Sequence, residues 1–261
     1  MDLEINSKTA LVTGASKGIG RAVAKLLAAE GCDLHIASRT EADLMSLRNE
    51  IISTEDVEVI VHPVDLSTEK GISSLVKASG NIDILVNNAG AIPAGDLERL
   101  DNDKIKQAWD LKVFGYLGLV RALYAQMREN SAGVIVNIIG TAGERPRSSY
   151  IAGGMGNAAL MAMTRALGSE SIDYGVRIVG INPGPIETDR LVAQAKTTAD
   201  MNWSDDSRWR ETLKGLPGDR AGSVEEIAWL TAFLASPKAS WLSGTVIMAD
   251  GGEHSRPPGR L

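Results

Sequence analysis

The sequence predicts a single doubly wound α/β domain, in which helices cover both faces of a parallel sheet. Two observations lead to this fold class. The first is a series of seven largely apolar runs of four to six residues, as expected for strands buried on both faces. They comprise residues 9–13, 34–37, 57–61, 82–86, 134–138, 176–181 and 245–248. The second is that segments with helical spacing, such as 19–30 and 158–174, separate these runs. The resulting β-α-β-α alternation is typical of a parallel sheet.

Length and composition are those of one globular domain spanning residues 1–261. The alternation continues through the whole 261-residue chain, of which 44% is apolar and 23% charged. Only residues 251–261 have a Gly/Pro content that cannot continue a helix or strand. We expect this tail either to fray or to cross to another subunit.

The charge favours a small-molecule partner. A formal net charge of −6 excludes the basic surface that nucleic acids and anionic membranes require. The single cysteine, Cys32, cannot form an internal disulfide and fits a reducing compartment. The acidic start lacks the regions of a secretory signal, and no apolar run reaches the length of a membrane span. The sequence therefore predicts a cytoplasmic protein with neither a nucleic-acid nor a membrane partner.

The first apolar run leads into a glycine-rich turn that fits a dinucleotide. Gly14 permits a tight turn out of the strand, and Gly18 and Gly20 let a pyrophosphate approach the backbone N–H groups at the positive end of the next helix. The spacing differs from G-x-G-x-x-G, so by itself the triplet is equally a plain glycine-rich turn. Its position between the first strand and the first helix favours a nucleotide site.

The end of the second strand favours NADP(H) over NAD(H). A carboxylate at this position would hold the ribose 2′-hydroxyl of NAD, but the chain has Ser38-Arg39 instead. Arg39 can hold a 2′-phosphate through two hydrogen bonds, and Lys17 adds a second positive charge. The alternative is that both are solvated surface cations. Asp65, after the third strand, either accepts the adenine amino group or caps the following helix.

Further motifs follow the predicted strands at regular places along the chain. They are Asn87-Asn88-Ala89-Gly90, Asn182-Pro183-Gly184 and the stretch 244–252, in addition to Thr13-Gly14-x-x-x-Gly18-Ile19-Gly20. With these motifs the chain resembles the short-chain dehydrogenase/reductase family over nearly its whole length. The resemblance implies a seven-stranded Rossmann sheet, a homodimer or homotetramer, and hydride transfer between NAD(P) and an alcohol or carbonyl compound. It also implies a variable lid over the substrate at about residues 191–213.

The resemblance and the preceding arguments together give a set of cofactor-binding residues. The Asn87 to Gly90 segment would line the adenosine-ribose side, and Ile186 and Thr188 would hold the nicotinamide carboxamide. The full set is Thr13, Gly14, Ser16, Lys17, Gly18, Ile19, Gly20, Ser38, Arg39, Asp65, Leu66, Asn88, Ala89, Gly90, Asn157, Pro183, Gly184, Ile186 and Thr188.

The four catalytic positions that the resemblance implies are all altered. The family's serine, tyrosine, lysine and asparagine fall on Gly140, Gly153, Asn157 and Lys112 in this chain. Because glycine has no functional side chain, the first two cannot act as the family's residues do. Lys112 stands at the asparagine position and Asn157 at the lysine position, so the pocket can still contain both an amide and an ammonium group. An alternative alignment with a gap places Tyr150 at the tyrosine position and leaves Gly154 at the lysine position.

We hypothesise that Tyr150 is the general acid/base. If the helix starts early enough, Tyr150 shares a face with Gly153 and Asn157, and its phenol enters the space that Gly153 leaves empty. Lys112 would lower its pKa, and Thr141 or Ser149 would orient the substrate oxygen. The alternative is that Tyr150 only packs at the helix entrance while Lys112 is solvated.

These assignments predict an NADP(H)-dependent oxidoreductase that acts on a carbonyl compound or secondary alcohol. Two alternatives remain open: a catalytically silent NADP(H)-binding homologue, and a non-redox lyase or isomerase on the same scaffold. Arg145 and Arg147 either recognise an acidic substrate or belong to a solvated loop. The histidines lack metal-ligand spacing, and no metal is expected.

Overall fold

The computed structural model describes residues 1–256, and it confirms the predicted fold class. All seven strands form one parallel sheet in the order β3-β2-β1-β4-β5-β6-β7. The strands are β1 Thr9–Thr13, β2 Asp33–Ser38, β3 Val59–Pro63, β4 Ile84–Asn87, β5 Gly133–Ile138, β6 Val176–Pro183 and β7 Val246–Ala249. The order reverses between β1 and β4, where the sheet leaves a crevice at its carboxyl edge.

Helices cover both faces of the sheet, as the apolar strands require. They are α1 Gly18–Ala29, α2 Glu41–Ile52, α3 Glu69–Ser79, α4 Asn102–Trp109, α5 Gly115–Glu129, α6 Ile151–Ser171, α7 Asp189–Trp203 and α8 Val224–Ala235. One apolar core lies beneath α1, α2 and α8, and a second contains side chains from α3, α5 and α6. Both cores hold the strand ends rigidly at the crevice.

Several boundaries differ from the predicted ones. β3 and β4 begin at Val59 and Ile84, because their pairing with neighbouring strands starts there and not at the first apolar residue. The predicted helix at 158–174 begins earlier, at Ile151, and is followed by a short 3-10 turn, Ile172–Tyr174. Its first turns are rich in glycine, which hides the helical spacing in the sequence.

The predicted lid segment, residues 191–213, consists of most of α7 and a 3-10 helix, Asp206–Leu213. Trp209 and Leu213 pack with alanines of α7 in a small apolar cluster of their own. The segment is therefore a compact unit attached to the sheet. Its covering role stays a prediction.

The end of the chain packs onto the domain as far as the structure describes it. Residues Glu253–Ser255 form a 3-10 turn in which Glu253 is buried. Arg256 also donates a hydrogen bond to the Gly215 carbonyl oxygen, so residues 253–256 contact the domain, while residues 257–261 of the predicted tail lie outside the described part and its fraying or crossing to another subunit stays a prediction. Within that part, no helix is both long and apolar enough to cross a membrane.

Candidate active site

A cavity of about 580 Å³ lies at the carboxyl edge of the sheet, above the crevice between β1 and β4. The glycine-rich turn forms one wall. Gly14 has a positive φ of 64°, and a Cβ built on it would stand 2.8 Å from Nδ2 of Asn88. That amide donates to the carbonyl oxygens of Thr13 and Gly14, so β4 fixes the shape of the turn.

Most of the predicted cofactor residues line this cavity. They are Gly14, Ser16, Lys17, Gly18, Ile19, Ser38, Arg39, Leu66, Asn88, Ala89, Gly90, Pro183, Gly184, Ile186 and Thr188. The turn, the end of β2, the segment after β4 and the segment after β6 therefore meet around one space. That space has the form of a dinucleotide groove at the switch point of the sheet.

Three of the predicted contact residues, Thr13, Gly20 and Asp65, do not line this cavity. The fully buried hydroxyl of Thr13 accepts hydrogen bonds from the backbone N–H groups of Asn88 and Ala89, so it joins β1 to β4. Gly20 packs directly against the turn, where a Cβ would overlap Asn88 and Gly14. Asp65 accepts from the backbone and hydroxyl groups of Ser67, and those bonds lower its pKa. Thr13 and Gly20 therefore shape the groove, whereas the exposed Asp65 closes the turn before α3, whose N-cap residue is Thr68 and not Asp65.

The groove end at β2 carries both predicted cations. Ser38 and Arg39 line it, and the Ser38 hydroxyl is buried without a hydrogen-bond partner in residues 1–256. A phosphate oxygen is a partner that this hydroxyl would fit. Lys17 lies 3.3 Å from Asp43 in an exposed ion pair, so part of its charge is already neutralised. Arg39 is therefore the stronger candidate for a phosphate contact.

A second cavity of about 520 Å³ adjoins the first at the carboxyl ends of β5 and β6. It contains all the residues that the sequence proposes for chemistry, which are Lys112, Thr141, Ser149, Tyr150 and Asn157. Lys112 lines both cavities. The sequence-predicted catalytic residues are thus brought together at the inner end of the dinucleotide groove.

Lys112 is held at the junction by an irregular helix. Residues Asp110–Phe114 form a π-helical turn between α4 and α5, an irregularity that is frequent at functional sites. The Lys112 ammonium donates a 2.7 Å hydrogen bond to the Ile139 carbonyl oxygen, and its stem lies against Gly90. Burial, with a smaller effect of the positive charge of Arg190, lowers the pKa of Lys112 to about 8.

Asn157 binds the carbonyl group of Gly140, the residue that follows Ile139. Its Nδ2 donates to the Gly140 carbonyl oxygen at 3.2 Å, while the Gly140 N–H donates to Asn182 at the same distance. Gly140 has a φ of 122°, which favours glycine, and a Cβ there would stand 3.1 Å from Asn157. Glycine at position 140 therefore fits the close approach of the Asn157 side chain.

Tyr150 covers Gly153. It caps the start of α6, and a Cβ built on Gly153 would overlap ring carbons Cε1 and Cζ of Tyr150. The bridge between Gly95 and Tyr150 holds the residue in place from the other side. Burial raises the pKa of the Tyr150 phenol, and the positive charge of Arg190 opposes that rise.

Arg190 is a site residue that the sequence reasoning missed. It lies in the first turn of α7, lines both cavities and donates a 3.0 Å hydrogen bond to the Ile92 carbonyl oxygen. Its charge acts on both Lys112 and Tyr150. The signal in the sequence was its position six residues after Gly184 of the Asn182-Pro183-Gly184 motif, immediately before the predicted lid.

Known proteins share this architecture over nearly their full length. A family model described as short chain dehydrogenase matches residues 8–199. The NADPH-dependent reductase BacG of Bacillus subtilis is 33% identical over 257 residues, which is 95% of this chain and 98% of that protein. The 3-oxoacyl-[acyl-carrier-protein] reductase FabG of Vibrio harveyi is 31% identical, over 96% of this chain and 98% of its own length.

A solved structure agrees equally well. L-Sorbose reductase from Gluconobacter frateurii, complexed with NADPH and L-sorbose, superposes with a TM-score of 0.93 at 30% sequence identity. The match covers 98% of this chain and 100% of the other. NAD+-bound xylitol dehydrogenase matches with a TM-score of 0.85 at 26% identity, over 95% of this chain and 100% of the other, so proteins of this shape use either nicotinamide cofactor.

Proposed function

The chain belongs to the short-chain dehydrogenase family of oxidoreductases, and we propose that it uses NADP(H) to interconvert a carbonyl compound and a secondary alcohol through a rebuilt active site. The observation that carries this proposal is the position of Tyr150. Its ring occupies the space above Gly153, in a cavity that adjoins the dinucleotide groove. A phenol thus replaces the side chain that Gly153 lacks.

The preference for NADP(H) rests on the β2 end of the groove. Arg39 supplies a planar guanidinium for a 2′-phosphate, and the unpartnered Ser38 hydroxyl offers a further hydrogen bond. No carboxylate follows β2 to hold a ribose hydroxyl, because residues 38–40 are Ser, Arg and Thr. The names of the NADPH-dependent reductase BacG and of the NADPH complex of L-sorbose reductase agree with this preference.

Tyr150 moves the proton. Because burial raises its pKa, the phenol is protonated at neutral pH and can donate to a carbonyl oxygen as that oxygen becomes an alkoxide. The positive charges of Lys112 and Arg190 then stabilise the phenolate left behind. When bound, the nicotinamide supplies the hydride. Thr141 and Ser149 line the same cavity, and either hydroxyl can orient the substrate oxygen.

Lys112 and Asn157 position the cavity floor. They hold the consecutive carbonyl groups of Ile139 and Gly140, directly after β5. The buried Asn157 also keeps Oδ1 without a partner within residues 1–256, so it can accept one more hydrogen bond, from a ribose hydroxyl or a water molecule. We assign both residues a positioning role: the Lys112 ammonium and the Asn157 amide fix the backbone at the base of the same cavity.

Residues 191–213 cover the substrate as a lid. The support for this role is that Leu191 and Gln194 of α7 line the dinucleotide groove, and Gln194 also lines the second cavity. The packed cluster around Trp209 allows the segment to move as a unit.

The experiment follows the nicotinamide absorbance while the protein acts on a panel of ketones and secondary alcohols. We expect substrate-dependent oxidation of NADPH, and an affinity for NADPH at least about tenfold above that for NADH. Product formation without any absorbance change would indicate a lyase or isomerase instead. Tight NADPH binding without conversion of any compound would support a silent homologue and contradict the proposal.

A further inference from the structure

The charge of the second cavity is opposite to that of the whole protein. The chain has a formal net charge of −6, yet this cavity is lined by four cationic side chains and two carboxylates. The cations are Lys112, Arg145, Arg147 and Arg190, and the carboxylates are Asp250 and Glu253. A cavity of one sign attracts a ligand of the other sign.

The two carboxylates are already engaged. Asp250 accepts from the backbone N–H groups of Gly252 and His254 and lies 3.0 Å from the His254 ring, and its side chain is only 2% exposed. Glu253 is 9% exposed and pairs with Arg147 at 3.2 Å. Neither carboxylate is therefore free to neutralise the remaining cations.

The remaining cations bind neutral carbonyl groups. Arg145 donates a 2.6 Å hydrogen bond to the Glu253 carbonyl oxygen, and Arg190 donates to that of Ile92. A backbone carbonyl orients a guanidinium but leaves its full charge in the cavity, along with further N–H donors. Arg190 also lines the dinucleotide groove, whereas Arg145 lines only the second cavity. Among the lining cations that are not paired with a carboxylate within residues 1–256, Arg145 is therefore the one that lines the second cavity and not the first.

We propose that the substrate is an oxo acid or hydroxy acid whose carboxylate binds Arg145, with Arg190 completing a positive wall, while its carbonyl or hydroxyl group faces Tyr150. This inference rests on the proposed function, because it treats the second cavity as the substrate site. It separates the protein's substrate from neutral sugars such as the L-sorbose named for the matched structure. A guanidinium recognises a carboxylate through two parallel hydrogen bonds, and an ester cannot replace that charge.

The test compares acids with their own methyl esters. Dissociation constants of 4-oxopentanoate, 2-oxo-3-phenylpropanoate and both methyl esters are measured by calorimetry on the full chain saturated with NADP+. The variants are Arg145→Gln, Arg145→Lys and, as a control on the other side of the domain, Arg128→Gln, whose side chain stacks on Tyr174. Thermal unfolding of each variant checks that it is folded.

We expect the acids to bind at least about tenfold more tightly than the esters. Arg145→Gln removes that difference by weakening the acids alone, whereas Arg145→Lys keeps part of it and Arg128→Gln keeps all of it. The proposal is overturned if acids and esters bind equally, if Arg145→Gln leaves the difference intact, or if no acid binds at millimolar concentration. Oxidation of NADPH is followed in parallel. If the acids bind through Arg145 but neither they nor their esters are reduced, the result contradicts the proposed redox function. It still supports a carboxylate-binding site at Arg145.

Discussion

The ring of Tyr150 lies where the side chain of Gly153 would begin, since a Cβ built on Gly153 overlaps two of the ring carbons. The two residues therefore depend on each other. Because position 153 has no side chain, the ring of Tyr150 fits beside it. The phenol of Tyr150, three residues earlier in the chain, thereby lines the cavity. If Gly153 stands at the family's tyrosine position, as we propose, the ring of Tyr150 fills the space that a side chain there would take.

Replacing Gly153 by alanine should displace the ring. In a helix this change ordinarily stabilises by about 0.5–1 kcal/mol, but here the added methyl group collides with Tyr150, and overpacking costs about 1–3 kcal/mol. We expect a lower free energy of unfolding in denaturant titrations and a loss of turnover. The control is a double-mutant cycle, in which Gly153→Ala in a Tyr150→Ala background should be neutral or stabilising. Equal effects of Gly153→Ala in both backgrounds would show that the ring is not in contact.

Arg39→Leu should relax the preference for NADPH. Loss of a charged hydrogen-bond donor to a phosphate weakens binding by about 10- to 100-fold, while the affinity for NADH stays nearly unchanged. Fluorescence titration of both cofactors measures the two constants. Lys17→Gln is the matched variant, with a smaller expected effect because Lys17 already pairs with Asp43. A parallel loss of NADPH and NADH binding would indicate a folding defect or a different phosphate site.

Turnover in the direction of reduction should fall as pH rises through about 8. Lys112 has its pKa lowered to about 8, so it is charged below that pH and neutral above it. One of the two positive charges that we propose to stabilise the Tyr150 phenolate is then lost, while that of Arg190 remains. In Lys112→Met, kcat should be lower at every pH and should no longer fall as pH rises through about 8. The control is Lys104→Met, on the exposed face of α4, in which kcat should still fall over this range. If kcat of Lys112→Met falls over the same pH range as that of the parent protein, the titrating group is not Lys112.

Stability should decline at mildly acid pH because of a histidine pair that consists of the buried His35 and the half-buried His62. His35 Nδ1 and His62 Nε2 are 2.8 Å apart on neighbouring strands, and burial lowers the pKa of His62 to about 4. Between the ordinary value of 6.5 and about 4, the unfolded chain binds a proton that the native state does not, so the free energy of unfolding falls as pH decreases. His62→Gln should flatten this part of the curve. Identical slopes for both proteins between pH 4 and 6.5 would contradict the assignment.

The fold could be predicted because continuous apolar runs define a sheet covered on both faces. The runs did not reveal where pairing starts, so β3 and β4 begin later than their first apolar residues. The start of α6 was hidden for another reason. Its first turns contain glycines that are buried against neighbouring segments, and glycine has no apolar signal.

The sequence named residues that line the two cavities, but it did not reveal their arrangement. Motif position singled out Thr13 and Asp65, but only the structure shows that the Thr13 hydroxyl and Asp65 Oδ1 accept hydrogen bonds from nearby backbone N–H groups. Arg190 could not be connected with Tyr150 from spacing, because the two meet only when the segments after β5 and β6 fold over the same cavity. Side-chain pairing across distant segments is set by tertiary packing.

The most direct test of the rebuilt active site is the turnover of Tyr150→Phe. The substitution keeps the ring above Gly153 and removes only the hydroxyl group that donates the proton. We predict that NADPH-dependent turnover falls by about 100-fold or more, while the dissociation constant for NADPH is unchanged and Tyr174→Phe, an exposed tyrosine, behaves as the parent protein. Turnover of Tyr150→Phe equal to that of the parent protein would contradict the central claim.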